Sequence, residues 1–263
     1  MPSKMAMGHT ICWLQHKRNL MLGLPTLEDT AEIGLQRPFP IAIVGGGPSL
    51  AKMLPKLRAF RGPIMAAGSV HDYLLEQGIQ PDYCVVMDPD PLMAAYLKRD
   101  GGACKYLVAS HVAPHVLFAL AGRSVYLFGA GGTFELKDFD PLPVVMVGGR
   151  TVGTRAMGVA LGLGYTQMHL FGMDSCLDQQ AVHAYEIPED AEFDQAIRDS
   201  ARTVYCNGRT FKCGSYMLGQ ATDFQRFMGV WGDQVGVEVH GDGLLAEIMK
   251  ASQGATSDAR YAA

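Results

Sequence analysis

The segment Ile41-Ala42-Ile43-Val44-Gly45-Gly46-Gly47-Pro48-Ser49-Leu50 joins a continuous apolar run to a glycine turn and a helix-capping serine. A run that is apolar at every position, rather than at alternate ones, fits a strand covered by helices on both faces. The glycines let the chain turn sharply, and serine caps a helix by accepting a backbone N–H. Strand, tight turn and helix in that order open a βαβ unit, and the helix's exposed N–H groups and positive dipole end suit a phosphate. Gly45, Gly46, Gly47, Pro48 and Ser49 are therefore candidate nucleotide-binding residues. The turn matches neither standard nucleotide motif. Leu50 stands where a dinucleotide fingerprint has its third glycine, and Lys52 comes too late for a Walker loop. Without a ligand, the same residues read as a strand-to-helix turn capped by Ser49.

Outward from this unit the pattern repeats. Apolar runs at 41–44, 63–67, 83–87, 106–109, 125–128, 143–147 and 167–171 are each closed by glycine, aspartate or serine. Helix-compatible stretches lie between them at 49–60, 70–77, 91–99, 114–121 and 154–163. This rhythm predicts an α/β, Rossmann-like, doubly wound fold with a mostly parallel sheet. Beyond Asp174 it breaks. An acidic stretch at 186–199 leads into two β-prone runs flanking Asn207-Gly208, whose preference for positive φ marks a hairpin turn. A helix at 216–227, a strand at 235–239 and a last helix at 244–249 complete the expected C-terminal β-hairpin and helices. Residues 1–40 are expected to be an N-terminal extension and linker, with one amphipathic helix near Trp13 to Leu22 and then Pro25, Pro38 and Pro40. The domain is expected over 41–250, and 251–263 should form a frayed tail.

The 263 residues are 48% hydrophobic and 18% charged, which excludes disorder, collagen and coiled coil. No window approaches the roughly 18 apolar residues of a membrane span, and Lys4, His16, Lys17 and Arg18 interrupt any signal-peptide core. The six cysteines show no C-x-x-C pair, so a reducing cytoplasm is the expected location, without a zinc site or disulfide framework. A net charge of -4 and the lack of a Lys/Arg cluster argue against a nucleic-acid partner. Any anionic ligand must be held locally.

In an open parallel sheet ligands bind beyond the carboxyl ends of the strands, so the residues closing each run matter most. Met87-Asp88-Pro89-Asp90-Pro91 places two carboxylates at D-x-D spacing, a pair suited to Mg²⁺ or Mn²⁺ bridging a diphosphate. The same spacing also lets Asp90 cap a helix opened by Pro91. Val147-Gly148-Gly149-Arg150-Thr151-Val152-Gly153-Thr154 is a second glycine-rich strand-to-helix turn, with Arg150 and Arg155 able to grip a phosphate. After the 167–171 run come Asp174 and, on the following loop, His183, a candidate general base because imidazole titrates near neutrality. His71, His111 and His115 also follow strands and compete for that role.

At these residues the chain resembles the 6-hydroxymethylpterin diphosphokinase MptE-like family, which includes motility-accessory-factor glycosyltransferases and bacterial and phage proteins. The marks are Gly46-Gly47-Pro48-Ser49-Leu50; Gly68-Ser69, Leu74, Gly78-Ile79 and Pro81-Asp82; Asp88 and Asp90; Gly149 with Thr151-Val152; and Leu170-Phe171-Gly172-Met173-Asp174. His183-Ala184-Tyr185, Asn207-Gly208 and His240-Gly241-Asp242-Gly243 are similar to the bacterial and phage branch. The archaeal pterin kinases carry T-D-L-D-G and H-A-H-G-D-N stretches where this chain reads Val86-Met87-Asp88-Pro89-Asp90 and Ser110-His111-Val112-Ala113-Pro114-His115.

The resemblance implies a nucleotide-binding transferase core, with glycosyl transfer from a nucleotide sugar to a hydroxyl acceptor as the leading expectation. Diphosphate transfer from ATP to a pterin-like alcohol, or a non-catalytic nucleotide-binding module, are the alternatives. The expected roles are His183, Asp174 and Arg150 in catalysis, and Asp88 and Asp90 on Mg²⁺ or Mn²⁺. Gly45 to Ser49, Gly68, Ser69, Gly149, Thr151 and Val152 would hold the nucleotide. A homo-oligomer is left open.

Overall fold

The computed structural model describes residues 9–131, 145–186 and 190–258. The apolar runs form the strands β1 (Ile41–Val44), β2 (Ile64–Ala67), β3 (Tyr83–Val86), β4 (Lys105–Ala109), β5 (Ser124–Ala130), β6 (Val145–Met146) and β7 (Gln167–Phe171). Around Asn207-Gly208, β8 (Arg202–Cys206) and β9 (Arg209–Cys213) make an antiparallel ribbon, and Asn207 and Gly208 both have positive φ as a hairpin turn requires. The last strand, β10 (Gly236–His240), joins the main sheet. The helices are α1 (His9–Leu20), α2 (Leu50–Arg58), α3 (His71–Glu76), α4 (Pro114–Ala119), α5 (Val152–Gly162), α6 (Ala191–Ser200), α7 (Ser215–Trp231) and α8 (Leu244–Asp258).

The main sheet has the order β10-β7-β1-β2-β3-β4-β5-β6, and every pair in it is parallel. All four residues of β1 are fully buried, as its unbroken hydrophobicity requires. The chain steps outward strand by strand from β1 to β6 and then returns to lay β7 on the other side of β1. That reversal opens a crevice at the carboxyl ends of β1 and β7.

Three local readings are adjusted, and part of a fourth falls outside the described residues. The helix expected over 91–99 is a 3-10 helix, Pro91–Tyr96, because a short segment opened by an Asp-Pro cap closes tighter turns than an α-helix. The last helix continues to Asp258 instead of ending near Met249. Residues 143 and 144 of the sixth run lie outside the described residues. The segment expected as a linker is packed: Leu27 is fully buried and the Pro25 carbonyl accepts from Leu127 N.

The N-terminal helix is present but inverted relative to a simple amphipathic helix. It buries His16 and Asn19 and exposes Ile11, Trp13 and Leu14. The polar residues face inward because they satisfy strand-end groups. Asn19 donates to the carbonyls of Ser110 and Val112, His16 Nδ1 meets Ser110 Oγ at 2.9 Å, and Gln15 donates to the Pro89 carbonyl. Thus α1 lies across the carboxyl ends of β3 and β4. Among the described residues no helix is long and apolar enough to cross a membrane.

Candidate functional site

The β1–β7 crevice is built by two glycine turns that hydrogen-bond to each other. Gly45 N donates to the Phe171 carbonyl and Gly47 N to the Gly172 carbonyl, both at 2.8 Å. Gly172 has a φ of +60°, a conformation open to glycine, and a side chain there would strike the Gly45 carbonyl. Just beyond, Asp174 turns back so that its Oδ2 accepts from Ser49 N at 2.9 Å. Burial pushes the Asp174 carboxyl above its usual range, against the Ser49 hydrogen bonding that favours the carboxylate. Gly47, Gly241 and Gly243 crowd around this carboxylate. Asp174 therefore anchors the α2 N-terminus from a position in the floor of the cleft.

The opposite wall is the start of α5. Thr151 caps it by accepting from Thr154 N, which leaves the N–H groups of Val152 and Gly153 without an intrahelical acceptor while they line the cleft. The α5 N-terminus and the Gly45–Pro48 turn thus face one crevice, and the N–H groups that open α5 suit an anion, whereas at the α2 N-terminus Ser49 N is held by Asp174 and Leu50 N by the Gly47 carbonyl. From α7, Gln220 ties the walls together: its Oε1 accepts from Ser175 Oγ at 2.7 Å and its Nε2 donates to Thr151 Oγ1 at 3.3 Å. Gln220, Tyr216 and Met217 line the cleft and had no motif to mark them.

Over the first glycine turn lies the loop carrying His183-Ala184-Tyr185. Ala184 N donates to the Gly46 carbonyl at 3.0 Å, and Tyr185 stacks on Tyr73 with ring centroids 4.7 Å apart. The Tyr185 hydroxyl crowds Gly46 and reaches Ser69 Oγ at 3.4 Å. His183 lines the cleft, and its Nδ1 sits 3.5 Å from Asp194 Oδ2 on α6.

Of the residues expected to bind a nucleotide, Gly45, Gly46, Gly47, Pro48, Ser69, Thr151 and Val152 line this cleft. Ser49 acts through its backbone on Asp174. Gly68 is buried against Met93 and Val85, and Gly149 against Thr154 and Asp223, so both serve close packing. Arg150 lies outside the lining, with an exposed side chain held near Asp223. Arg155 is buried and donates to the carbonyls of Met146 and Gly131, which takes it away from any phosphate.

The competing histidines sit elsewhere. His71 is fully buried between Asp72 and the Tyr106 hydroxyl, and His115 is exposed on α4. Burial, with the nearby charge of Arg155, lowers His111 to about 4.

The aspartate pair is turned onto its own chain. Asp88 Oδ1 accepts from Asp90 N at 2.9 Å and Asp90 Oδ1 from Leu92 N at 2.8 Å, so Asp90 caps the helix that Pro91 opens. Neither lines the cleft, and α1 packs across the turn between them. As placed, the two carboxylates do not fit a cation held in the cleft.

A family model described as "6-hydroxymethylpterin diphosphokinase MptE-like" matches residues 19–180. A search of curated proteins found no significant match. Among solved structures, a Maf glycosyltransferase from Magnetospirillum magneticum AMB-1 aligns with 21% identity and a TM-score of 0.61, over 90% of this chain and 42% of that chain. A variant of the sialyltransferase CST-II in complex with CMP aligns with 16% identity and a TM-score of 0.45, over 79% of this chain and 84% of that chain. The chain thus spans less than half the length of the Maf glycosyltransferase.

Proposed function

The chain belongs to the 6-hydroxymethylpterin diphosphokinase MptE-like family, and from that premise we propose that it is a nucleotide-dependent transferase whose donor phosphates sit in the β1–β7 cleft. The observation that carries this reading is the convergence of the Gly45–Pro48 turn and the α5 N-terminus on one crevice with His183 in its wall. Val152 N–H, Gly153 N–H and the Thr151 hydroxyl donate to the phosphate oxygens, and the dipole of α5 favours the charge that grows on them. Asp174 is a positioning residue that caps the α2 N-terminus and so ties the first glycine turn to the β7 turn.

The finer reading is glycosyl transfer from a nucleotide sugar to a hydroxyl acceptor. The bond between the anomeric carbon and the donor phosphate oxygen breaks, and its electron pair leaves with the phosphate. The acceptor oxygen forms the new bond, and its proton goes to His183, whose Nδ1 is held by Asp194 so that Nε2 is the accepting atom. Glycosyl transfer is favoured over diphosphate transfer because α1 occupies the carboxyl ends of β3 and β4, the region of the pterin-kinase stretches. The base of the nucleotide is what a donor panel identifies, and the acceptor hydroxyl is what an acceptor panel identifies.

The test is to incubate the protein with CMP-, UDP- and GDP-sugars and with ATP, each together with a panel of hydroxyl acceptors (sugars, hydroxylated peptides and a pterin alcohol), and to measure donor consumption by chromatography. Consumption of one nucleotide sugar, lost in His183→Ala with the melting temperature retained, is the expected result. ATP consumption with release of AMP would assign diphosphate transfer instead. Binding without consumption of any donor would leave a nucleotide-binding module and overturn the catalytic reading.

A further inference from the structure

Strand β10 pairs with β7 so that Glu238 stands directly opposite His169, and His240, two residues on, shares the same sheet face. Among the described residues, His169, Glu238 and His240 are the one group of three His, Cys, Asp or Glu side chains whose donor atoms all lie within 4.8 Å of one another. His169 Nδ1 and His240 Nε2 are 2.9 Å apart, and Glu238 reaches both rings, with Oε2 at 3.5 Å from His169 Nδ1 and Oε1 at 3.2 Å from His240 Nδ1. None of the three lines the donor cleft.

From this juxtaposition we infer that His169, His240 and Glu238 form a second, separate site for a divalent late transition ion of the Zn²⁺ class. Two imidazole nitrogens and one carboxylate match the chemistry of that class and not that of Mg²⁺, which prefers oxygen. The ion takes His169 Nδ1, His240 Nε2 and Glu238 Oε2, while Glu238 Oε1 accepts from the proton left on His240 Nδ1 and fixes that tautomer. Bonds of about 2.0 to 2.1 Å at a tetrahedral angle set the two nitrogens about 3.3 Å apart, so the rings open by a few tenths of an ångström. The partly exposed His169 is the ring with room to move.

The surroundings suit a bound ion. Phe171 stacks on His240 at 4.2 Å and Phe60 lies against His169 at 5.2 Å, which walls the inner side from water. One group opposes the ion: the Lys56 ammonium lies 2.9 Å from His240 Nδ1 and 3.4 Å from Glu238 Oε1. Its side chain is 58% exposed and can swing into solvent when the ion enters. His240 is followed by Gly241, which packs on Ser49 and Asp174, so an ion here stiffens the edge of the donor cleft without touching the donor.

The experiment is equilibrium dialysis of the full chain against Zn²⁺ and Co²⁺, with Mg²⁺ as the control. The Co²⁺ visible spectrum serves as a readout of nitrogen ligation, independent of turnover. One equivalent of Zn²⁺ and a tetrahedral Co²⁺ spectrum are expected in the wild type. His169→Ala and Glu238→Gln should each weaken binding at least tenfold, whereas Lys56→Ala should retain or tighten it. His169 and Glu238 are partly exposed, and melting curves in EDTA check that the variants remain folded. Absence of stoichiometric Zn²⁺ in the wild type, or equal binding by the wild type and both ligand variants, would overturn the assignment.

Discussion

Gly47→Ala tests the architecture of the cleft directly. Gly47 is not in the left-handed region, so alanine brings no backbone strain and any cost is steric. Its Cβ would stand 2.6 Å from the Gly172 carbonyl, a backbone atom, and would also collide with Asp174 Oδ2. Relief requires parting the two glycine turns and weakening the bond from Ser49 N to Asp174. Overpacking costs about 1 to 3 kcal/mol, and loosening a buried hydrogen bond adds about 1 kcal/mol, so about 2 to 4 kcal/mol is expected. In a chain of this size that lowers the melting temperature by roughly 5 to 15 °C, measurable by calorimetry or dichroism. Gly229→Ala is the control, because Gly229 is exposed on α7 and its Cβ would meet nothing within 4 Å. It should melt at or slightly above the wild type, since alanine suits a helix better than glycine. If Gly47→Ala melted as the wild type does, or Gly229→Ala fell as far, the proposed interlock of the β1 and β7 turns would be wrong.

Four further outcomes follow from the same geometry. His183→Ala should lower kcat by roughly 10²- to 10⁴-fold. Asp194→Asn should lower it less and shift the pH–rate profile; an unchanged profile would remove Asp194 as the partner of His183. Gln220→Ala, which cuts the tie between Ser175 and Thr151, should raise the donor KM more than it lowers kcat, read from steady-state kinetics on the donor that the panel identifies. His111 is depressed from 6.5 to about 4 by burial, so the stability it contributes is present above pH 6.5 and is lost as the pH falls through 4. Melting temperatures across that interval should fall more steeply in the wild type than in His111→Gln, and parallel slopes would refute the buried neutral assignment.

The glycine turn after Val44 and the strand at 41–44 were legible because a doubly covered strand must be apolar throughout and glycine suits the tight turn that follows, although Ser49, expected to cap α2, stands at the N-cap position without a side-chain cap bond. The hairpin at Asn207-Gly208 was legible for a similarly local reason, the positive φ of its two central residues. Asp90 was readable in two ways, and the tertiary structure resolves its geometry as a helix cap.

What periodicity could not report is which strands become neighbours. The return of β7 to the side of β1 brings Asp174 onto Ser49 across 125 residues of chain and creates the cleft. Gln220 enters that cleft from a helix whose local sequence resembles any other amphipathic helix, and its partners are distant loops. The burial of His16 and Asn19 went against hydropathy because the strand ends beneath α1 present a hydroxyl and carbonyls that need partners, a demand visible only after folding. Local chemistry in the sequence thus determined the elements and their turns. Strand order, and with it the meeting of residues from opposite ends of the chain, was decided by the tertiary packing of the sheet.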